Sequence, residues 1–196
     1  QKLLSDCIHL TANKEIKNPS EEIGETLALF EPLFSATDIS AALKAEMLSL
    51  PSFETLFQQK DNVDIDALDQ ARKGLLKAVG KKFESHWYEL YSSADKQAYR
   101  YEQQQVENRK VKNLALKFLS VGGYSKVQAV LHEQFSIADN MTDSLGVLSA
   151  AQLGNLDLFE HFMQEFEHKW KSDPLVLDKW FALHANTDRP DILARL

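Results

Sequence analysis

The sequence predicts an all-α chain of antiparallel helix pairs, and three observations carry that prediction. Glycine and proline are scarce, at 7 and 5 of 196 residues, while leucine supplies 28. Few chain breakers and many strong helix formers favour long helices. Large apolar residues recur at spacings of three, four and seven, as in Leu68, Leu75, Leu76, Val79, Phe83, Trp87 and Leu90, the period of one helical face. No segment alternates apolar and polar residues over six or more positions, as a half-buried strand would.

Taken in order, helices are predicted over residues 3–10, 21–34 with Pro32 near its end, 39–48, and 52–59 with Ser52 as N-cap after Pro51. Residues 64–91 read as one rod of roughly 40 Å at 1.5 Å per residue, with Gly80 inside the pattern. Next come 97–119, closed by Gly122 and Gly123, then 125–135, and 142–151 after Asp139 and Asn140. Leu156, Phe159, Met163, Phe166 and Trp170 form the apolar stripe of another helix, with Asn155 as its N-cap. Asp173 before Pro174 starts a helix over 174–185, because proline suits the first helical position. A last helix is predicted to begin at Pro190.

From Lys112 onward the helices recur every 15 to 18 residues with three- to five-residue turns. That rhythm fits antiparallel pairs stacked into an armadillo- or HEAT-like right-handed superhelix, with a closed bundle as the alternative. Gln1 in place of Met, and a final helix that starts at Pro190 and stops uncapped at Leu196, lead us to expect an excerpt of a longer chain.

A net charge of −7 excludes a nucleic-acid binder that works by bulk phosphate neutralisation, and disfavours an anionic membrane surface. The lone Cys7 cannot form an internal disulfide, and neither a long apolar run nor a basic-plus-apolar leader is present. These features lead to the expectation of a cytoplasmic protein with no membrane span and no nucleic-acid partner.

No motif supplies catalytic or metal-binding chemistry. His132-Glu133 begins like a zinc peptidase helix, but Ser136 stands where the second His is needed. His161 and His168 share a face two turns apart, roughly 10 Å, with Glu165 between them, and read as solvated polar residues in preference to a surface metal site. Cys7 is separated from His9 by helical geometry, and Asp6 adds no third member of a nucleophilic set. Gly122-Gly123 lacks the continuation of a phosphate loop. Trp87, Tyr88 and Tyr91, like Trp170, Trp180 and Phe181, read as interhelical core. Arg109-Lys110-Val111-Lys112 reads as a local ion-pair lattice with Glu102 and Glu107. Catalytic, metal and substrate-binding residues are therefore all expected to be absent from this chain.

Several blocks nevertheless have a family likeness. Asp139-Asn140-Met141-Thr142-Asp143, then Leu148-Ser149-Ala150, then Lys169-Trp170-Lys171-Ser172-Asp173-Pro174 through Trp180-Phe181 resemble the C-terminal helical domain of bacterial aminopeptidase N. That family comprises zinc-dependent alanyl aminopeptidases of the gluzincin class. Tyr99-Arg100-Tyr101, the run from Arg109 to Leu119, and Leu48-Ser49-Leu50-Pro51-Ser52 fit the same domain. Residues 1–47 share only a compatible helical pattern.

The resemblance implies that residues 1–196 are a single helical unit excerpted from a four-domain enzyme. Zinc and its ligands would lie in the absent catalytic domain, and this portion would brace or enclose the catalytic chamber. Its partners would be the other domains of the parent chain and peptide substrates. A free-standing HEAT-like interaction scaffold is the alternative. The Asn140 to Asp143 block reads as a helix-capping corner, with Asn140 or Thr142 as the cap and Asp143 offsetting the helix dipole.

Overall fold

The computed structural model describes residues 1–14, 19–94 and 98–187, with side chains omitted at 19–22. Among them lie twelve helices and no strand: α1 (Lys2–Ala12), α2 (Pro19–Ala28), α3 (Glu31–Ser35), α4 (Ala41–Leu48), α5 (Phe53–Gln58), α6 (Ile65–Lys82), α7 (Glu84–Ser92), α8 (Gln103–Gly122), α9 (Val127–Ile137), α10 (Met141–Leu153), α11 (Leu158–Trp170) and α12 (Pro174–Ala185). The helix predicted from Pro190 lies outside the described residues.

Helix α8 is the axis of the stack, touching α4, α6, α7, α9 and α10. Behind α6 lie α1 and α5, and beyond α10 the layers continue through α11 to α12. One apolar core runs through all of them, from Leu4 and Ile8 past Leu68, Val79 and Leu116 to Phe162 and Phe166. The all-helical stacked architecture is the one expected.

Two predicted rods are broken. Residues 21–34 divide into α2 and α3 because Pro32 has no N–H for the Ala28 carbonyl and its ring would collide with it. The chain tightens there, with Leu29 and Phe30 donating to the carbonyls of Thr26 and Leu27. Residues 64–91 divide at Phe83 (φ −106°, ψ 28°) rather than at Gly80. Phe83 is 2% exposed and packs on Phe34 with ring centroids 5.1 Å apart. The break also lets Trp87 turn inward, donate its Nε1 proton to the Val79 carbonyl at 3.3 Å and stack on Phe118 at 4.2 Å.

Most predicted caps are present. Ser52 accepts from Thr55 N–H at 3.2 Å, Asn140 from Asp143 N–H at 3.0 Å, and Asp173 from Leu175 N–H at 3.1 Å. Asn140, not Thr142, is the cap of α10. Gly123 ends α8 in the left-handed region at φ 78°, and the Tyr124 N–H reaches the Leu119 carbonyl, closing a Schellman motif. Asn155 plays that same part for α10, at φ 49° with Leu156 N–H on the Ala151 carbonyl. It is therefore the stop of α10, and the N-cap of α11 is Asp157. The predicted start at residue 97 also moves, since α8 begins at Gln103.

Gly80 remains helical because α6 crosses α8 there. A Cβ built on Gly80 would lie 2.5 Å from the Phe118 carbonyl oxygen and 2.9 Å from the Gly122 nitrogen. One on Gly122 would lie 2.8 Å from the Gly80 carbonyl oxygen. Gly74, on the same helix, has nothing within 4 Å of such a carbon. Urea unfolding is expected to separate these sites. Gly80→Ala and Gly122→Ala should each cost about 1–3 kcal/mol through overpacking, whereas Gly74→Ala should gain roughly 0.5–1 kcal/mol of helix propensity. Equal effects at Gly74 and Gly80 would contradict the close crossing.

Candidate functional site

The side chains screened in the sequence mostly resolve into structure. Ser136 donates to the carbonyls of His132 and Glu133 at 2.9 and 3.0 Å, finishing a helical turn. His161 meets Glu165 at 3.2 Å on an exposed face, and His168 is exposed. No spacing in the sequence signals that His161 faces His132 on α9, with ring centroids 5.9 Å apart and Phe162 against His132 at 5.0 Å. Adjacency between separate helices has no local signal. Cys7 is buried at 8% exposure, as a structural cysteine would be. No group of three His, Cys, Asp or Glu among the described residues is placed to hold a metal ion.

Trp87 is fully buried core. Trp180 packs edge-on to His184 at 4.2 Å and donates to the Met163 carbonyl at 3.3 Å. The basic run departs from the expected lattice. Glu107 accepts from Gln103 at 2.8 Å and Glu102 approaches Arg100 at 3.8 Å, so neither serves the run. Arg109 and Lys112 instead turn toward other elements. Helical spacing placed these charges on one helix but could not show that α10 brings a carboxylate to them.

The feature with chemical character is a cavity of roughly 210 Å³ between α8, α9 and the start of α10. Asp143 is its hub. Its carboxylate accepts from Lys112 at 2.8 Å, Asn113 at 3.2 Å and Asn140 at 3.0 Å. Gln134, buried on α9, donates to Asn113 Oδ1 at 2.8 Å and to the Asp143 carbonyl at 3.3 Å, while its own Oε1 has no hydrogen-bond partner. Asp143 thus does more than offset the α10 dipole, because it ties three helices together. Burying it is tolerable since a cation and two amides satisfy the charge.

The opposite wall comes from α7, the segment before α8, and α8 itself. Arg109 lies flat over the Tyr99 ring, 4.8 Å from its centroid, and donates to Gln105 Oε1 at 3.3 Å. Tyr99 N–H donates to Asp139 at 2.8 Å. That bond, helped by the Asn140 side chain, holds the Asp139 carboxyl below its usual range. Burial, reinforced by the charges of Glu133 and Asp143, pushes the Tyr91 hydroxyl up to about 12.

The sign of the Tyr91 shift sets a pH test. A phenol that ionises near 10 when unfolded and about 12 when folded keeps its full contribution below pH ~10 and loses it as pH rises toward ~12. Urea stability of the wild type should therefore fall more steeply across that window than stability of Tyr91→Phe. Parallel curves would show that Tyr91 ionises as if exposed.

Comparison with known proteins gives the family. All of residues 1–196 match a family model described as a domain of unknown function (DUF3458_C) with ARM repeats. The chain is 33% identical over 155 residues to aminopeptidase N of Escherichia coli (strain K12), covering 79% of this chain and 18% of that protein. It is 30% identical over 145 residues to aminopeptidase N of Haemophilus influenzae, covering 74% and 16%. The chain therefore spans less than a fifth of the length of these curated relatives. The crystal structure of Legionella pneumophila aminopeptidase A in complex with aspartic acid shares the fold, with a TM-score of 0.81 at 22% identity over 99% of this chain and 24% of that chain. The resemblance to aminopeptidase N is thus shown by alignments over about three quarters of this chain, and the stacked helices around α8 belong to the DUF3458_C ARM-repeat family.

Proposed function

We propose that residues 1–196 form a single helical unit within the C-terminal domain of a cytoplasmic zinc metallo-aminopeptidase, an enzyme that removes N-terminal residues from peptides. The unit is non-catalytic. It braces or helps enclose the catalytic chamber, and its partners are the catalytic and other domains of the same chain, with peptides as the substrates of the whole enzyme.

One observation carries this reading: 33% identity to aminopeptidase N over 155 residues that make up only 18% of that protein. The architecture suits a brace, because a continuous apolar core spans the stack and the tight α6–α8 crossing resists shear. The side chains described here do not fit a catalytic zinc, which needs three converging protein ligands, and none converge among the described residues. In this reading zinc is held by residues elsewhere in the parent chain. No helix among the described residues is long and apolar enough to cross a membrane.

The coding sequence upstream of Gln1 tests the proposal directly. A His-Glu-x-x-His helix followed by a more distant Glu is expected, and a start codon immediately before Gln1 would leave the scaffold alternative in its place. On an alanine anilide, the intact parent should turn over and lose that activity when zinc is chelated. The 196-residue chain alone should give no turnover above background, and zinc-dependent turnover by it would overturn the non-catalytic role.

A further inference from the structure

We propose that the groove between α4, α8 and α10 binds a phosphate group, a small tetrahedral dianion, between the ammonium groups of Lys110 and Lys117. Both lysines line a cavity of roughly 480 Å³, together with the hydroxyl-bearing Ser49, Thr142 and Ser149. Positions 110 and 117 lie two turns apart on one face of α8, about 10 Å along its axis, and positions 142 and 149 repeat that spacing on α10. The close approach of Gly146 to Asn113 joins the two helices between those pairs, and Ala42 and Ala45 keep the α4 side of the groove open.

Lys117 is the unusual member. It is half-buried near the middle of the stack, yet among the described residues its ammonium has no hydrogen-bond acceptor and no carboxylate at ion-pair distance. Burial, and then the like charge of Arg72 on α6, push the Lys117 amine below the ordinary lysine range. Arg72 is itself engaged, donating from Nε to the Pro51 carbonyl at 2.8 Å, with Asp69 and Glu54 as its own acidic neighbours. A desolvated ammonium with no counter-charge is costly, and its three donors are open to whatever fills the groove. Lys110 adds a second cation at the exposed rim, also without an acceptor among the described residues.

The acidic groups nearby do not cancel this charge. Glu46, the carboxylate in the lining, is exposed on α4 and pairs with neither lysine, and Asp143 at the start of α10 is already neutralised by Lys112 at 2.8 Å. The groove is thus cationic in a chain whose net charge is −7, which disfavours a cation as its occupant. A planar carboxylate is matched best by the fork of arginine, whereas lysine meets phosphate as a point charge. The hydroxyls support the same choice. Ser49 is committed to the Ala45 carbonyl at 2.7 Å, but the hydroxyls of Thr142 and Ser149 donate to nothing among the described residues. A tetrahedral anion presents oxygens in four directions and can accept from the lysines of α8 and the hydroxyls of α10 at once.

Calorimetric titration of the 196-residue chain with sodium phosphate tests this at constant ionic strength and pH ~8, where the ion is a dianion. The outcome does not depend on the identity of the parent enzyme. Phosphate should bind saturably, and malonate, a dianion of planar carboxylates, should bind about tenfold more weakly. Lys117→Gln should weaken phosphate binding about tenfold or more, the scale of one lost charge-assisted bond. Lys110→Gln should weaken it by a smaller factor, because solvent screens an exposed charge, and Lys169→Gln, on α11 outside the groove, should change nothing. As a second readout, the Cε resonance of Lys117 followed with pH should show a higher midpoint when phosphate is present, since a bound anion favours the charged form. If Lys117→Gln fails to fold, that titration and Lys110→Gln decide the matter. Phenyl phosphate separates two sources of the group: affinity equal to or above that of inorganic phosphate assigns a phosphorylated organic ligand, lower affinity assigns the free ion, and both uphold the site. Equal binding of malonate, undiminished binding by Lys117→Gln, an unmoved Lys117 midpoint, or no saturation by about 10 mM phosphate would each overturn the proposal.

Discussion

The clearance around the backbone of α8 is the constraint on which the rest of the structure depends. Neighbouring elements approach α8 at residues without a Cβ. Gly80 of α6 faces Gly122 backbone to backbone, Gly146 of α10 lies against the Asn113 side chain, and Gly154 lies against Ser120 with 3.0 Å between a built Cβ and the Ser120 Cβ. Helices normally pack 8–10 Å apart, at a distance set by the side chains at the contact, and glycine at the crossing brings the axes nearer. That closeness allows the flat stacking of Trp87 on Phe118, and it sets where the ends of α7 and α10 fall. Interiors packed to this density do not accommodate even one added methyl group without displacement.

The other side of α8 is held by a different kind of interaction. Lys112 and Asn113 converge on Asp143, and Gln134 joins from α9. A buried carboxylate is costly unless its lone pairs are satisfied, and removing one partner of such a cluster is more harmful than never having built it. The cluster therefore acts less as a source of stability than as a selector of arrangement. Rotation of α10 by one residue would carry Asp143 about 100° away from Lys112 and leave both charges unpaired. Asn140 contributes twice, capping α10 with its carbonyl oxygen and donating to Asp143 from its amide. A single capping residue thus couples the start of α10 to its register against α8.

The limits of reading this fold from sequence follow from which forces are local. Asn140, Asp173, Ser52 and the Gly123 stop were legible because a cap bonds to residues two or three positions away. The all-helical class was legible because it rests on composition and period. The break at Phe83 was not, since nothing in the pattern Val79, Phe83, Trp87 shows that Phe34 waits on another helix to receive the ring. Gly80 pointed to a weakness in the helix when its meaning was a close crossing. Gly154 and Asn155 misled for a related reason. Glycine is the usual left-handed stop, but Gly154 is occupied by its contact with Ser120, and the left-handed turn falls to Asn155. The cavity was less legible still. Arg109, Glu133 and Asp143 lie on three helices, and their sequence spacings have no common period.

These two faces make α8 an asymmetric element, and the asymmetry follows its length. Its 20 residues span about 30 Å. The cavity residues occupy the first half and the glycine crossing lies at the last turn. At the crossing, contact is between backbones and admits no alternative side-chain arrangement. At the cavity, polar side chains hold the elements together through bonds of 2.8 to 3.3 Å, of a kind that water can replace. A brace needs the first property, since shear between layers would otherwise dissipate in the core. The second property leaves the polar end able to exchange hydrogen bonds without dismantling the fold. Placing both on one helix, separated by several turns, lets the polar end adjust while the packed end holds the stack in place.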